Sequence, residues 1–223
     1  MQPDELLDTL VGTGVLEPTA GGDSVAVTAE FQGFVEETET TLERQESLRE
    51  ELEARFDDPD ALDALAALGE DDLRFVAQYC ALSERVESLS HDDLVRTVAV
   101  LAQFQGTPPR SAGVPDPFLP VQGEQLPTLL GLARRAVVYV WQEDCEPCDL
   151  VRQTLEDLLD APEDIALFAV YGPDWAELLY EEFDVAGAPT TLFVLDGEVD
   201  SRLNGPHYPE SYEGELETLR ELA

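Results

Sequence analysis

The segment from Val137 to Leu159, VVYVWQEDCEPCDLVRQTLEDLL, constrains the fold of this chain more than any other. Its first residues are β-branched or apolar, which is typical of a buried strand. A polar turn follows, and the cysteines Cys145 and Cys148 then open a helical pattern that extends to about Leu159. A strand, a CxxC pair and a helix in this order are typical of a redox-active dithiol, and a metal site is the alternative.

The predicted position of the pair explains why two thiols are useful there. Cys145 is expected at the amino end of the helix, where unpaired N–H groups and the helix dipole favour a thiolate. Cys148, one turn further along, can then attack a mixed disulfide and release the product. Pro147 suits the first helical turn, where its missing N–H costs nothing.

The remaining cysteine and histidines are Cys80, His91 and His207. They form no second spaced pair, so we expect no zinc, and no cofactor other than the redox-active disulfide Cys145–Cys148 itself. Cys80 lies in an apolar helical stretch and is expected to be a buried, inert thiol. His91 adjoins a helix cap, and His207 is a candidate for the rim of a substrate groove.

Acidic residues dominate the composition. The chain has 49 Asp and Glu against 12 basic residues, all of them arginine, and a net charge of -37. Self-repulsion of this size destabilises a compact protein at ordinary ionic strength, whereas roughly 1 M salt shortens the Debye length to about 3 Å. We therefore predict a halophilic protein of haloarchaeal type; the alternative is an acidic protein from ordinary conditions. The charge argues against nucleic acid and membrane partners.

The expected location is the cytoplasm. No apolar run approaches the roughly 20 residues that span a membrane, and the start MQPDELLDTL lacks the basic region and apolar core of a signal peptide. Structural disulfides are rare in that compartment, which strengthens the redox or metal interpretation of the CEPC pair.

A proline- and glycine-rich break divides the chain into a helical domain over residues 1–105, a linker over 106–116 and a second domain over 117–223. The patterns in the first domain predict a hairpin turning at Gly21-Gly22, a long helix from Thr28 to Phe56, a short helix capped by Asp58, and helices over 70–88 and 92–105, the last capped by Ser90.

The role of this first domain is open. A winged-helix DNA-binding module would need a basic surface, and acids are in large excess here. Selecting a protein partner or forming a homodimer is favoured instead. The long helix could pair with a second copy or pack within its own domain.

The second domain alternates strands and helices in the order β-α-β-α-β-β-α, with a hairpin around Asp196-Gly197. This order predicts an α/β fold, a mixed central sheet covered by helices on both faces.

Residues 117–223 resemble the thioredoxin family. CEPC differs at one position from the family's commonest motif, Trp141 matches a usual tryptophan, and VAGAPTTLFVLDGEV matches the cis-proline loop and hairpin. The resemblance implies a thioredoxin fold with Pro189 as the cis-proline. It implies that substrate is bound by residues around the cysteine pair and that loop, which here are Trp141, Pro147, Ala188, Pro189, Thr190 and Gly205.

Four positions depart from the family pattern. Tyr139 stands where a buried acid is frequent, and Asp144 where an aromatic residue precedes the first cysteine. Asp149 replaces a basic residue, and Gln153 replaces a helix-kinking proline. These departures predict a specialised relative with dithiol chemistry.

The acids beside the pair bear on its chemistry. Glu143, Asp144, Glu146 and Asp149 all disfavour a nearby thiolate, so we predict that Cys145 is less acidic than its helix position alone would make it. A less stabilised thiolate gives a less oxidising disulfide and favours a reductant. The alternative is that these acids only solvate the surface.

The predicted function is a cytoplasmic thiol–disulfide oxidoreductase. Cys145 would attack a protein disulfide, Cys148 would resolve it, and a reductase or other electron donor would restore the dithiol. The alternative is a thioredoxin-fold adaptor in which the CEPC pair senses redox state or has no catalytic role.

Overall fold

The computed structural model describes residues 3–19, 24–45, 47–56, 59–104, 108–159, 162 and 164–222. The chain divides into two compact units, Met1–Gly106 and Thr107–Ala223. Within the described ranges, no helix has the length and apolar character needed to cross a bilayer.

The first unit is mostly helical. Its elements are α1 (Pro3–Gly12), β1 (Leu16–Pro18), β2 (Val25–Val27), α2 (Ala29–Glu43), α3 (Leu48–Glu53), α4 (Pro59–Asp71), α5 (Leu73–Arg85) and α6 (His91–Gln103). Strands β1 and β2 pair antiparallel, with Leu16 opposite Val27, which confirms the predicted hairpin. Its proposed turn at Gly21-Gly22 lies outside the described residues, as does the proposed cap Asp58.

The prediction of one helix from Thr28 to Phe56 is wrong, because two helices, α2 and α3, occupy this stretch. Thr28 caps α2 by accepting the N–H of Phe31 at 3.1 Å. Ser47 caps α3 by accepting the N–H of Glu50 at 3.3 Å. A serine hydroxyl competes with the helical backbone for hydrogen bonds and so favours a new start. The spacing of apolar residues does not reveal such a break.

Helix α5 lies at the centre of this unit's core. Most of its residues are buried, among them Val76, Tyr79 and Cys80. The expectation of a buried Cys80 is confirmed, and burial raises the pKa of its thiol to about 12. The predicted cap of α6 is also confirmed, since Ser90 Oγ accepts the N–H of Asp93 at 3.2 Å.

The second unit contains a five-stranded sheet. Its elements are β3 (Leu119–Pro120), α7 (Leu126–Leu132), β4 (Arg135–Trp141), α8 (Glu146–Leu158), β5 (Ala166–Tyr171), α9 (Ala176–Phe183), β6 (Thr190–Leu195), β7 (Glu198–Asn204) and α10 (Pro209–Glu221). Short 3-10 turns at Gly123–Gln125 and Gly172–Trp175 precede α7 and α9. The strand order is β3-β5-β4-β6-β7. Strand β4 pairs parallel to β5 and antiparallel to β6. The predicted mixed sheet is therefore confirmed.

Alternation along β4 divides its side chains between the two faces of the sheet. Val137, Tyr139 and Trp141 belong to one buried cluster, which α8 and α10 complete with side chains such as Leu155 and Leu216. Residues 136, 138 and 140 point to the opposite face and are also buried. A strand buried on both faces is typical of a sheet covered by helices on both sides.

The predicted hairpin between β6 and β7 is confirmed. Asp196 and Gly197 have φ of 49° and 82°, as a type I′ turn requires. Position 197 needs glycine's conformational freedom.

Candidate dithiol site

The cysteine pair lies where β4 ends and α8 begins. Strand β4 ends at Trp141, and a turn over residues 142–144 leads to Cys145. Asp144 has φ 52°, a left-handed conformation that Asp tolerates better than most residues. Cys145 is the N-cap of α8, with φ -125° and ψ 91°. The predicted position of Cys145 at the amino end of the helix is confirmed.

The two sulfurs differ in access. Cys145 is half-buried, whereas Cys148 is only 4% exposed, and the two form a disulfide of 2.06 Å. The backbone N–H of Cys148 donates to Sγ of Cys145 at 3.1 Å. Such a donor at a helix amino end favours a negative sulfur at Cys145. The geometry therefore suits Cys145 for attack and Cys148 for resolution.

The loop before β6 lies at the same end of the sheet. Val140 is the second-to-last residue of β4, and it pairs with Thr190, the first residue of β6. The Ala188–Pro189 peptide bond is cis. The N–H of Gly205, at φ 78°, donates to the carbonyl oxygen of Pro189 at 2.8 Å. The structure thus brings the loop residues and Gly205 together beside the end of β4.

The candidate substrate residues differ in exposure. Pro147 is exposed, and Ala188 and Gly205 are half-buried. Pro189 is buried, and so are Trp141 and Thr190, each 2% exposed. Thr190 Oγ1 donates to the carbonyl oxygen of Gly187 at 2.7 Å, so this side chain holds the loop's own shape.

An apolar groove of about 530 Å³ adjoins this loop. Its walls come from the end of β4, from the turn after β5, from α9 and from the loop before β6. The lining residues are Val140, Gln142, Gly172, Pro173, Ala176, Leu179, Tyr180, Val185, Ala186, Gly187 and Ala188. A concave, largely apolar surface beside reactive groups is typical of a binding site. Composition and spacing gave no signal for this groove, because its walls come from four separate segments.

Tyr139 has a structural role in the site that sequence reasoning missed. Its side chain is fully buried, and its hydroxyl donates to the carbonyl oxygen of Cys148 at 2.7 Å. Burial raises the pKa of this phenol well above its ordinary value, and the Asp149 carboxylate acts in the same direction. The phenol is therefore a neutral hydrogen-bond donor rather than a group that takes up and releases a proton.

The acids around the pair are partly matched by arginines. Arg110 contacts Glu143 at 3.1 Å, and Arg152 lies 3.9 Å from Asp149. The first pair is exposed and the second is long and partly exposed, so each contributes little to stability. Nothing in the sequence linked Arg110 to a loop 33 residues away, and its position in a proline-rich stretch suggested a linker.

The second unit combines the mixed sheet, a CxxC pair at the start of the helix after the central strand, and a cis-proline beside it. It has the thioredoxin fold. No family model matches the chain. Solved thioredoxins resemble it at low identity, and in each case the likeness covers about half of this chain.

Three of these structures illustrate the range of sequence identity. Thioredoxin f from spinach chloroplast (long form) is 17% identical over 48% of this chain and 88% of that chain, with a TM-score of 0.42. A point mutant of thioredoxin from Halobacterium salinarum NRC-1 is 23% identical over 51% and 96%, with a TM-score of 0.41. Oxidised mitochondrial thioredoxin 3 from Saccharomyces cerevisiae is 18% identical over 45% and 94%, with a TM-score of 0.41.

Each of the two histidines makes a polar contact with an oxygen atom. His207 Nε2 lies 3.2 Å from the carbonyl oxygen of Asn204, next to Gly205. His91 Nδ1 contacts the hydroxyl of Tyr79 at 2.6 Å in the first unit. In the part of the chain that the structure describes, no group of three or more His, Cys, Asp or Glu side chains is arranged to hold a metal.

Proposed function

We propose that this protein is a thiol–disulfide oxidoreductase acting on protein disulfides. The single observation that carries the proposal is the placement of the half-buried Cys145 as N-cap of α8, where its sulfur accepts the N–H of Cys148. A cysteine in this setting is an activated nucleophile. Cys148 lies three residues further along and is buried, which suits a resolving thiol.

The proposed cycle transfers two electrons. The Cys145 thiolate attacks one sulfur of the substrate disulfide, forms a mixed disulfide and releases the other sulfur as a thiolate. Cys148 then loses its proton and attacks Sγ of Cys145, which releases the second substrate sulfur and forms the Cys145–Cys148 disulfide. The two protons given up by the cysteines balance those taken up by the substrate thiolates. A dithiol reductase or thiol donor returns two electrons to the pair.

The substrate strand is proposed to lie against the loop that precedes β6. Ala188 and Gly205 are half-buried and offer partly accessible backbone there, and the buried Pro189 holds Gly205 in place by accepting its N–H at 2.8 Å. Pro147 is the exposed proline between the sulfurs. Trp141 and Thr190 are buried, so their proposed contribution is to support the loop beneath the substrate.

The remaining parts of the proposal concern setting and partners. We propose a halophilic, cytoplasmic protein in which the helical unit selects the partner or forms a homodimer. The net charge of -37 and the absence of lysine support the salt-rich setting. The acids around Cys145 support a reductant rather than an oxidant.

A trapping experiment tests the function. The Cys148→Ser variant lacks the resolving thiol, so Cys145 should accumulate mixed disulfides with substrate proteins in molar salt. The matched control is Cys145→Ser, which keeps one cysteine of the pair but removes the attacking one and should trap nothing. Mass spectrometry of the adducts would identify the substrates. Equal adduct levels in both variants, or none in either, would contradict the proposal and favour a non-catalytic adaptor.

A further inference from the structure

Residues 108–118, which we name the strap, pack on the second unit although the sequence suggests a linker. Two turns shape this segment: the N–H of Val114 donates to Ser111 O at 3.1 Å, and the N–H of Phe118 donates to Pro115 O at 2.9 Å. Phe118 is buried in the cluster between the sheet, α8 and α10, and Val114 packs against it. The strap is therefore packed into the hydrophobic core of the domain that carries the dithiol.

Gly113 brings the strap onto Trp141, the last residue of β4. A Cβ atom at position 113 would lie 2.3 Å from Cε3 of Trp141, closer than any side chain can approach. On β5, Tyr171 is the register partner of Trp141, and the two rings meet edge-on at 5.0 Å. The strap thus covers the ends of two strands at the point where the chain turns towards Cys145.

Arg110 of the strap makes three contacts at this end of the sheet. Its guanidinium lies over the ring of Tyr171, 4.6 Å from the centroid. Nε contacts Asp174 Oδ2 at 3.2 Å, and Nη1 contacts Glu143 Oε1 at 3.1 Å. Glu143 stands two residues before Cys145. One side chain therefore links β5 and the turn after it to the loop that delivers the reactive cysteine.

We propose that Arg110 is a positioning residue for Cys145, acting through Glu143. The ion pair holds the Glu143 carboxylate against the strap and offsets its charge, so that the carboxylate opposes a thiolate at Cys145 less than a free one would. The inference rests on the proposed function only in taking Cys145 as the attacking thiol. A planar guanidinium on an aromatic ring can serve two carboxylates at once, which a lysine ammonium does less well.

The pair acts within a strongly charged neighbourhood. The charged and titratable groups on the described segments that carry or adjoin the loop include Arg110 and Asp116 of the strap, Tyr139 of β4, Glu143, Asp144, Glu146, Asp149, Arg152, Tyr171, Asp174 and His207. Arg152 already contacts Glu156 at 2.9 Å besides Asp149. Arg110 is therefore the cation that faces Glu143, an acid on the amino side of Cys145.

The test measures thiolate reactivity directly. The reduced protein is alkylated with iodoacetamide, a neutral reagent, across a pH series, and modification of Cys145 is followed by mass spectrometry of its peptide. In about 0.1 M salt, where the Debye length is about 10 Å, Arg110→Ala should slow alkylation below the thiol's pKa by about two- to five-fold, the scale of an exposed ion pair. The ratio should shrink towards one in about 1 M salt.

The matched control is Arg220→Ala. Arg220 also forms an exposed pair, with Asp164 at 2.8 Å, but Asp164 precedes β5 and so lies at the opposite end of the sheet. This variant makes the same change in net charge. The ratio of its Cys145 alkylation rate to that of the native protein should be near one. Circular dichroism at both salt concentrations checks that the native protein and both variants are folded.

A second pair of variants tests whether Glu143 carries the effect. Glu143→Gln should speed alkylation, and Arg110→Ala added to it should slow the reaction less than it does in the native background. Equal slowing by Arg110→Ala and Arg220→Ala, no slowing by either, or the same slowing in both backgrounds would overturn the proposal. Alkylation needs no protein substrate, so a failure of the trapping experiment remains a separate result.

Discussion

The hydroxyl of Tyr139 donates a 2.7 Å hydrogen bond to the carbonyl oxygen of Cys148. Both residues are buried, and the bond joins the central strand to the first turn of the helix that carries both sulfurs. The contact gives the tyrosine a role at a position where the thioredoxin resemblance suggested an acid. Because burial raises the pKa of this phenol, it stays a donor across the working pH range.

Removing that hydroxyl should weaken the fold around the dithiol. We expect Tyr139→Phe to lower the free energy of unfolding by about 1 kcal/mol, the usual scale for one buried hydrogen bond. Urea denaturation at fixed molar salt measures the change. The control is Tyr180→Phe, since Tyr180 is 61% exposed and should change stability by less than about 0.5 kcal/mol. Equal effects in the two variants would show that the Tyr139 hydrogen bond contributes no more to the free energy of unfolding than an exposed hydroxyl does.

The approach of the strap to Trp141 predicts opposite effects for two glycines. Gly113→Ala should destabilise the protein by about 1–3 kcal/mol, because its Cβ would overlap the indole ring. Gly214→Ala, inside α10 with no atom near its added Cβ, should stabilise it by about 0.5–1 kcal/mol. Denaturation of both variants gives the signs, and tryptophan fluorescence should change only for position 113. A neutral Gly113→Ala would mean that the strap is not held at Trp141.

The buried thiol of Cys80 predicts a loss of stability at alkaline pH. Its pKa is about 12 in the folded protein against an ordinary value of 9.0, so the unfolded chain releases its proton first. The stabilisation is complete below pH about 9 and declines by up to about 1.4 kcal/mol per pH unit above it.

Unfolding experiments on the native protein and Cys80→Ala between pH about 8 and about 9.5, below the ordinary tyrosine pKa of about 10, can isolate this contribution. Cys80→Ala should be less stable at neutral pH, because a buried side chain is shortened, yet its stability should fall less steeply with pH. Parallel slopes for the two proteins would contradict the assignment.

The charge of the chain predicts a strong dependence on salt. With a net charge of -37, the melting temperature should rise as potassium chloride is added, with most of the gain below about 1 M, where the Debye length has fallen to about 3 Å. Sucrose at matched osmolality is the control, since it strengthens burial without screening charge. A melting temperature that responds equally to both additives would argue against charge repulsion as the cause.

Several features were predictable from local patterns. The β-branched run at 137–141, the CxxC pair and the periodic helix after it predicted the order strand, dithiol, helix, and the structure confirms it. Asp196-Gly197 predicted a hairpin because few residues accept two successive positive φ values. The helix cap at Ser90 was equally local. The apolar stripe at 28–56 wrongly predicted a single helix, because its spacing continues across the break that Ser47 introduces.

The sequence by itself determined that a dithiol would stand at the start of a helix after a buried strand, because dihedral preferences, capping and side-chain alternation act over a few residues. Only the tertiary structure decided what surrounds that dithiol. Tyr139 meets Cys148 across nine positions, Gly113 meets Trp141, and Arg110 meets Glu143 across 33. These contacts depend on the three-dimensional path of the chain, and local conformational preferences do not determine that path.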